Sequence, residues 1–199
     1  LDKVGESFAN VDAMVGRGSH VKLLPDTANL SWIQTQTAGA DGISLLELQE
    51  RGILFTNGSG IHAVPIAEYV MASILAYRWR VPLWTSCQRD HRWPAGRWAT
   101  YSRPELRGST IGILGYGSIG REVARLAQAF GMRVLALSRS GKRADGGYLQ
   151  KGIGDPEGKI PERIYRTEEM AEILPQCDYV VVALPLTPAT THTIGEAEL

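Results

Sequence analysis

The sequence predicts an α/β protein whose strands form parallel sheets. The strongest sign is a βαβ pattern. An apolar strand at residues 110–114 leads through a glycine-rich turn into a helix, and a second apolar strand follows at residues 133–137. Strand, helix and strand also alternate in the first third of the chain, which favours a parallel sheet there too. A chain of 199 residues, 44% of them hydrophobic, can bury one large core or two small ones.

The first third of the chain predicts three strands and one short helix. Residues 10–17, 30–36 and 53–56 contain the short apolar runs that are typical of strands. Residues 43–49 predict a helix that ends at Arg51 and Gly52. The third strand should close in the turn of residues 57–60, whose sequence is Asn-Gly-Ser-Gly.

The longest helical pattern spans residues 64–80 and is apolar over a wide face. One stripe is formed by Ile66, Val70, Ile74 and Tyr77, and a second stripe widens it with Ala67, Met71 and Leu75. Such a face indicates either a central core helix or a helix shared between two subunits.

Residues 84–103 interleave tryptophans with arginines, and we expect an arm or loop that packs on a partner. A nucleic-acid surface is disfavoured because the net charge of the chain is zero.

The turn inside the βαβ pattern reads Gly115-Tyr116-Gly117-Ser118-Ile119-Gly120. Its first glycine permits a tight turn, the second lets a pyrophosphate approach bare backbone, and the third lets the helix pack closely on the strand. The amino terminus of the helix then faces the phosphates. We therefore predict that Gly115, Gly117, Ser118, Ile119 and Gly120 bind a dinucleotide; a lone glycine motif would be weak evidence, but here the strand and helix flank it.

Beyond the second strand of this pattern, the chain becomes polar and then apolar again. Residues 141–163 form a long polar segment, which is usually functional or partly disordered. Residues 167–174 predict a helix with Thr167 as its N-cap, and residues 179–184 predict a fully buried strand. Residues 185–191 follow that strand, and we expect a ligand-facing loop because ligands bind beyond the carboxyl ends of parallel strands.

The residues after the second strand indicate which dinucleotide binds. An NAD site places a carboxylate there for the ribose hydroxyls, but this chain has Ser138, Arg139 and Ser140, and no carboxylate occurs before Asp145. A guanidinium is suited to a 2′-phosphate, and the hydroxyls add neutral donors. We predict NADP in preference to NAD. The alternative is that Arg139 is a solvated loop residue and that either cofactor binds.

Composition and spacing exclude several other classes of protein. No apolar run is long enough for a membrane span, and the neutral charge disfavours nucleic acid. Cys87 and Cys177 lie far apart, which favours reduced thiols in a cytoplasmic protein. The four histidines form no ligand pair, so a metal site is not expected.

Four stretches together resemble one known family. They are LSWIQTQTAGAD at residues 30–41, GIHAVPIAE at 60–68, LRGSTIGILGYGSIG at 106–120 and CDYVVVALPLT at 177–187. In this order the chain resembles the D-isomer-specific 2-hydroxyacid dehydrogenases, which include glyoxylate and hydroxypyruvate reductases. The resemblance implies a flavodoxin-like substrate domain, here residues 1–64, followed by a Rossmann-type NAD(P)-binding domain, here residues 65–199, both of them partial.

The resemblance also implies roles for particular residues. The backbone amides of Ala38 and Gly39 would hold the carboxylate of a small 2-keto or 2-hydroxy acid, and His62 is a candidate substrate contact. Leu184, Pro185 and Thr191 would join the cofactor site. A homodimer would form through the helix after Glu68 and the tryptophan-rich arm. The family's catalytic arginine, glutamate and histidine would follow Leu199, so no catalytic residue is expected within these 199 residues, and the chain looks like a fragment.

Three functions therefore remain open. The first is an NAD(P)-dependent oxidoreductase that interconverts a small 2-keto acid and its D-2-hydroxy acid. The second is a non-catalytic NAD(P)-binding protein of corepressor type. The third is an inactive truncated product. A fold alone does not decide among them, because activity depends on the site.

Overall fold

The computed structural model describes residues 11–17, 29–40, 42–142, 151–196 and 198. The chain divides into two compact units, Leu1–Ile61 and His62–Leu199. Each contains its own parallel sheet, which confirms the predicted α/β class.

The described part of the first unit has three strands and a short helix. Its strands β1 (Ala13–Gly16), β2 (Trp32–Thr35) and β3 (Leu54–Thr56) pair in parallel in the order β1-β2-β3, and helix α1 spans Leu45–Glu50. Ser44 begins the helix by accepting a hydrogen bond from the Glu47 amide. The core is formed by Met14, Leu30, Ile33, Leu48 and Ile53. The predicted order of strands and helix is confirmed, with shorter bounds.

The second unit contains a four-stranded parallel sheet in the order β6-β5-β4-β7. The strands are β4 (Thr110–Leu114), β5 (Arg133–Leu137), β6 (Arg163–Tyr165) and β7 (Tyr179–Val182). The helices are α2 (Ala63–Arg78), α3 (Val81–Arg89), α4 (Arg97–Tyr101), α5 (Ser118–Ala129) and α6 (Met170–Ile173). Short 3₁₀ turns, Thr167–Glu169 and Leu174–Gln176, flank α6. The βαβ pattern is thus confirmed as β4-α5-β5.

This sheet is covered on both faces, because successive apolar side chains of its strands point to opposite faces and each face packs against helices. On one face, Ile111, Ile113, Val134 and Ala136 pack against α2 and α5, which bury Ala67, Met71, Val123 and Ala127 there. On the other face, Leu114, Leu135 and Leu137 pack against Met170 and Ile173 of α6. Strands buried on both sides read as continuous apolar runs, which is why β4 and β5 were clear in the sequence.

Helix α2 is half core and half surface. Its buried stripe is Ala63, Ala67, Met71 and Ile74, whereas Tyr77, predicted to lie on the main apolar stripe, is 79% exposed. The core interpretation is therefore confirmed for one face only. The buried residues follow the helical period, and two of them are alanines, which let a neighbouring element approach α2 closely.

Two other sequence predictions, on β7 and on Thr167, were wrong in detail. β7 is not fully buried, since Val180 and Val182 are 44% and 55% exposed where it forms an edge strand of the described sheet. Thr167 is not an N-cap but the first residue of a 3₁₀ turn, and the Glu169 carboxylate accepts a hydrogen bond from the Arg166 amide instead. The predicted arm contains two helices, α3 and α4.

Candidate dinucleotide-binding site

The glycine turn joins β4 to α5 and touches the ends of both neighbouring strands. Gly115 has φ +104°, and its amide donates to the Leu137 carbonyl at the end of β5 at 2.9 Å. A Cβ at Gly115 would lie 2.6 Å from the Ala183 oxygen and 3.0 Å from the Leu184 nitrogen, just beyond β7. Only glycine accommodates both the positive φ and this approach. The structure therefore brings the turns after β4, β5 and β7 to one edge of the sheet.

Gly120 sits where α5 crosses over β4. A Cβ there would collide with the Gly115 carbonyl oxygen and lie 2.9 Å from Cγ2 of Ile113. The helix is therefore in contact with the strand it follows. This is the close helix–strand packing that the third glycine of the pattern predicts.

Gly117 differs from its two neighbours because it faces open space. It is the N-cap of α5, and a Cβ there would meet no described atom within 4 Å. A glycine N-cap offers no side-chain oxygen, so it leaves the first-turn amides of the helix without a side-chain partner. Open space at Gly117 beside the uncapped first-turn amides of Ser118, Ile119 and Gly120 forms a cradle of the kind that binds anions at helix amino termini, and pyrophosphate binding there stays a prediction.

A buried polar cluster supports this turn from the side of the protein interior. Tyr116, 4% exposed, donates from its hydroxyl to Oδ2 of Asp155 at 2.6 Å. Arg121 of α5, 2% exposed, donates to the Asp155 carbonyl, and its guanidinium carbon lies 4.5 Å from the Tyr116 ring centroid. Oδ1 and Oδ2 of Asp155 also accept from the amides of Lys159 and Ile160, at 2.9 and 3.0 Å.

The Asp155 carboxylate is held in its charged form. Burial by itself would raise its pKa, but the hydrogen bonds from Tyr116, Ile160 and Lys159 and the charge of Arg121 outweigh burial, so the pKa lies below the usual range. Sequence reasoning missed this role, because Asp155 lies far from the glycine turn along the chain.

A second buried carboxylate connects the same segment to α5. Glu122, 1% exposed, accepts from the Gly154 amide at 2.6 Å and from Nε of Arg125 at 2.8 Å. Burial opposes its ionisation, but these bonds lower the pKa of Glu122 overall. The polar segment was predicted to be functional or partly disordered. Within its residues 151–160, Gly154 and Asp155 form hydrogen bonds with side chains of α5. Residues 143–150, with Asp145, lie outside the described residues.

The turn after β5 is polar and lies at the surface. Ser138 is half-buried, whereas Arg139 and Ser140 are exposed. Oγ of Ser138 accepts from the Gly141 amide at 3.1 Å, and Oγ of Ser140 accepts from the Lys142 amide at 3.2 Å. Each serine oxygen thus shapes the turn while its hydroxyl proton remains able to donate.

The loop after β7 is built from threonine hydrogen bonds. Oγ1 of Thr191 donates to the Thr187 carbonyl at 2.8 Å, and Oγ1 of Thr193 donates to the Thr190 carbonyl at 2.7 Å. A cleft of about 320 Å³ opens here, and it is lined by Val182, Leu184, Pro185, Leu186, Thr190, His192, Thr193 and Ile194. Leu184 and Pro185 thus line a cleft beside the glycine turn, and Thr191 helps to shape the loop.

In the first unit, the turn containing Ala38 and Gly39 follows β2. The Thr37 carbonyl accepts from the Gly58 amide at 2.9 Å, and the Ala38 carbonyl accepts from Nδ2 of Asn57, also at 2.9 Å. In a trans peptide the N–H points away from the C=O of the same unit. The amides of Ala38 and Gly39 are therefore directed away from the carbonyl contacts that fix the turn. Sequence reasoning missed Asn57 as the residue that orients them.

His62 begins the second unit as the N-cap residue of α2. It is exposed, and its side chain makes no capping hydrogen bond. Its role as a substrate contact stays a prediction, as do the roles of Ala38 and Gly39.

Three further features of the described residues bear on the composition-based predictions. No group of three or more potential metal ligands occurs in the described part of the chain. None of the helices found there is both long and apolar enough to cross a membrane, and the cytoplasmic location stays a prediction. Cys87 and Cys177 are free thiols, and burial raises the pKa of Cys177.

Comparisons with known proteins agree with this geometry. The family described as D-isomer specific 2-hydroxyacid dehydrogenase, NAD binding domain, matches residues 71–199. A glyoxylate reductase of Aeropyrum pernix is 37% identical over 188 residues, which cover 89% of this chain and 50% of that protein. A hydroxypyruvate reductase of Thermotoga maritima is 27% identical over 202 residues, covering 100% of this chain and 59% of that protein.

The solved structures include a similar protein as well. A D-isomer specific 2-hydroxyacid dehydrogenase family protein from Aeromonas salmonicida superposes with a TM-score of 0.73 at 27% identity, covering 96% of this chain and 56% of that one. The chain spans about half the length of these relatives.

Proposed function

Because this chain belongs to the D-isomer specific 2-hydroxyacid dehydrogenase family, we propose that the protein is an NADP-dependent oxidoreductase. Its reaction would interconvert a small 2-keto acid of the glyoxylate or hydroxypyruvate type and the D-2-hydroxy acid. The observation that carries the proposal is the cradle at Gly117, where uncapped helix amides face open space at the carboxyl edge of a parallel sheet.

In the proposed complex, the chain's own residues bind and orient the cofactor. The amides of Ser118, Ile119 and Gly120 would hold the pyrophosphate, and Leu184 and Pro185 would border the cofactor at the neighbouring strand end. When bound, the nicotinamide ring supplies or accepts the hydride of the reaction. The contacts of Tyr116 and Asp155 would keep the cradle in shape.

The choice of NADP rests on the turn after β5. Arg139 is exposed there, and the hydroxyls of Ser138 and Ser140 can still donate. A 2′-phosphate carries about −1.5 to −2 charges and fits a guanidinium better than a ribose hydroxyl does. We expect Arg139→Asp to weaken NADPH binding at least about tenfold and to improve NADH binding, measured as dissociation constants.

A control with the same change in net charge is Arg89→Asp in α3, away from the sheet edge. It should leave the ratio of the two dissociation constants unchanged. A preference that survives Arg139→Asp would overturn the NADP assignment but not dinucleotide binding.

For the substrate, we propose that the amides of Ala38 and Gly39 bind the carboxylate. Backbone amides hold an anion without a cationic side chain, and Asn57 fixes the peptide that carries the Gly39 amide. Asn57→Ala should raise KM for the keto acid about tenfold while leaving the NADPH dissociation constant unchanged. Ser59→Ala is the matched control, because Ser59 contacts Asn57 only through its backbone amide in the described turn. An unchanged KM in Asn57→Ala would contradict the proposed role.

The activity itself is tested with the full-length protein. We expect glyoxylate and hydroxypyruvate to be reduced with NADPH faster than with NADH, followed by loss of the nicotinamide absorbance. Binding of NADPH without turnover of either acid, or of larger 2-keto acids, would favour the non-catalytic binding protein instead.

We also propose that two copies associate through α2 and the arm formed by α3 and α4. Tyr69 and Tyr77 on α2 are 74% and 79% exposed, and Trp93 and Trp98 are 79% and 77% exposed. Such aromatic side chains are enriched at interfaces. Tyr77→Glu should convert a dimer to a monomer in sedimentation experiments on the full-length protein, whereas Lys151→Glu, at an exposed position outside α2, α3 and α4, should not. A monomeric unmodified protein would contradict this assembly.

A further inference from the structure

The side chain of Arg166 lies beside the turn that carries Ser138, Arg139 and Ser140. Strands β5 and β6 are parallel neighbours, with Leu137 opposite Tyr165. The Ser138 amide donates to the Tyr165 carbonyl at 2.9 Å, so the pairing continues to the last residue of β6. Arg166 therefore leaves the sheet at the same edge as Arg139.

A direct contact places the Arg166 side chain against this turn. Gly141 has φ +64°, and a Cβ there would lie 3.0 Å from Cγ of Arg166 and 3.4 Å from its Nε. The aliphatic stem of Arg166 thus runs across the bare Cα of Gly141. This contact holds the guanidinium at the turn, although the two residues are distant along the chain.

The Arg166 guanidinium forms no ion pair with a carboxylate among the described residues, although its charge helps to lower the pKa of Glu169. Glu169, its acidic neighbour along the chain, accepts from Arg163 at 2.5 Å and from the Arg166 amide at 2.7 Å. Within the described parts of the chain, no carboxylate pairs with the guanidinium of Arg166 or of Arg139, and both residues are exposed. Two exposed guanidinium groups at one turn attract a doubly charged anion.

We propose that Arg166 is a second specificity-determining residue, which binds the 2′-phosphate of the dinucleotide together with Arg139. This inference rests on the proposed NADP-dependent function and adds a residue from another strand. A 2′-phosphate carries nearly two negative charges, which matches two guanidinium groups better than one. The hydroxyls of Ser138 and Ser140 complete the set of donors.

The test is Arg166→Gln, a change at an exposed position that keeps Cβ and Cγ of the stem, the part nearest Gly141, and removes the charge. We expect the dissociation constant for NADPH to rise about tenfold and that for NADH to stay within about twofold, both measured by fluorescence of the bound nicotinamide. Binding of the inhibitor 2′,5′-ADP should weaken in parallel, whereas binding of 5′-AMP should not. Arg166→Lys should recover part of the loss, because an ammonium keeps the charge without the fork.

The matched control is Arg133→Gln, at the opposite end of β5, where Arg133 pairs with Glu162 at 2.6 Å. It should leave the ratio of the two dissociation constants unchanged. An NADPH affinity that survives Arg166→Gln but falls in Arg139→Gln would overturn this inference alone. Equal weakening of NADPH and NADH would overturn it in favour of a structural role. An unmodified protein that binds neither dinucleotide would overturn the proposed function itself.

Discussion

The turn after β4 and the turn after β5 lie at the same edge of one sheet but are built in opposite ways. The glycine turn after β4 is made of backbone, and its neighbours Tyr116 and Arg121 are buried. The turn after β5 presents exposed side chains, with Arg139 and Ser140 open to solvent. One turn offers a fixed shape, whereas the other offers charges that can be exchanged without disturbing the core.

In the proposed function, this difference separates dinucleotide affinity from the selectivity between NAD and NADP. Backbone amides recognise the pyrophosphate, which NAD and NADP share, so the glycine turn decides whether a dinucleotide binds. Side chains at the second turn meet the one group that distinguishes the two cofactors, so they decide which dinucleotide binds. Substitutions in the first turn should therefore affect the binding of both cofactors, and at the packed glycines also folding, whereas those in the second turn should affect selectivity alone.

The largest effect is expected for Gly120→Ala. A Cβ at this position collides with the Gly115 carbonyl oxygen and lies 2.9 Å from Cγ2 of Ile113, and neither neighbour can move without displacing β4. We expect the free energy of unfolding to fall by about 3 kcal/mol or more, or the protein to be insoluble. Thermal or denaturant unfolding measures the loss.

Gly117→Ala is the matched control for folding, because it adds the same methyl group three residues earlier, in open space. Its unfolding free energy should change by less than about 1 kcal/mol. Equal destabilisation by the two substitutions would contradict the difference between a packed glycine and an open one.

The next effect is expected for Asp155→Asn, which tests the buried support of the glycine turn. An amide offers one acceptor oxygen where the carboxylate accepts from Tyr116, Lys159 and Ile160, so at least one buried donor loses its partner. The loss should be about 1–3 kcal/mol of unfolding free energy at neutral pH. The exposed neighbour Glu157→Gln should change stability by less than about 0.5 kcal/mol.

The same variant has a pH dependence of known sign. The pKa of Asp155 is lowered in the folded protein, so its charge contributes stability that is fully present above the unfolded-state pKa of about 4. That contribution is lost as the pH falls through the lower folded-state pKa. The difference in stability between the unmodified protein and Asp155→Asn should therefore shrink below about pH 4. A constant difference from pH 7 to pH 3 would contradict the role of the charge.

A smaller effect is expected for the cofactor affinity of Gly117→Ala. The added methyl group occupies the space above the amides of Ser118 and Ile119, where the pyrophosphate would approach. Dissociation constants for NADPH and NADH should both rise about tenfold, and by the same factor, which is about 1.4 kcal/mol. A change confined to NADPH would contradict the division of roles between the two turns.

The sequence revealed the parts of this edge that depend on local pattern. The glycine turn was predictable because Gly120 is required by contacts within one βαβ unit, with Gly115 and Ile113, and Arg139 lies two residues beyond an apolar strand. Asp155 and Arg166 were not predictable, since their contacts arise from long-range folding and from β6, a strand too short to stand out within a polar segment. Helix α3 was missed although Pro82 in its first turn is a start signal.

The smallest effect is expected for Ser138→Ala, which tests whether the second turn acts through neutral donors as well as charges. Oγ of Ser138 accepts from the Gly141 amide at 3.1 Å, so its proton can donate to a 2′-phosphate. A neutral hydrogen bond contributes about 0.5–1.5 kcal/mol, so the NADPH dissociation constant should rise about threefold and the NADH constant should not change. Ser140→Ala, whose hydroxyl is more exposed, should weaken NADPH binding less. If Ser138→Ala weakened the binding of both cofactors equally, Ser138 would act like the turn after β4, which determines the shape of the site. Cofactor selectivity would then depend only on the residues that follow Ser138.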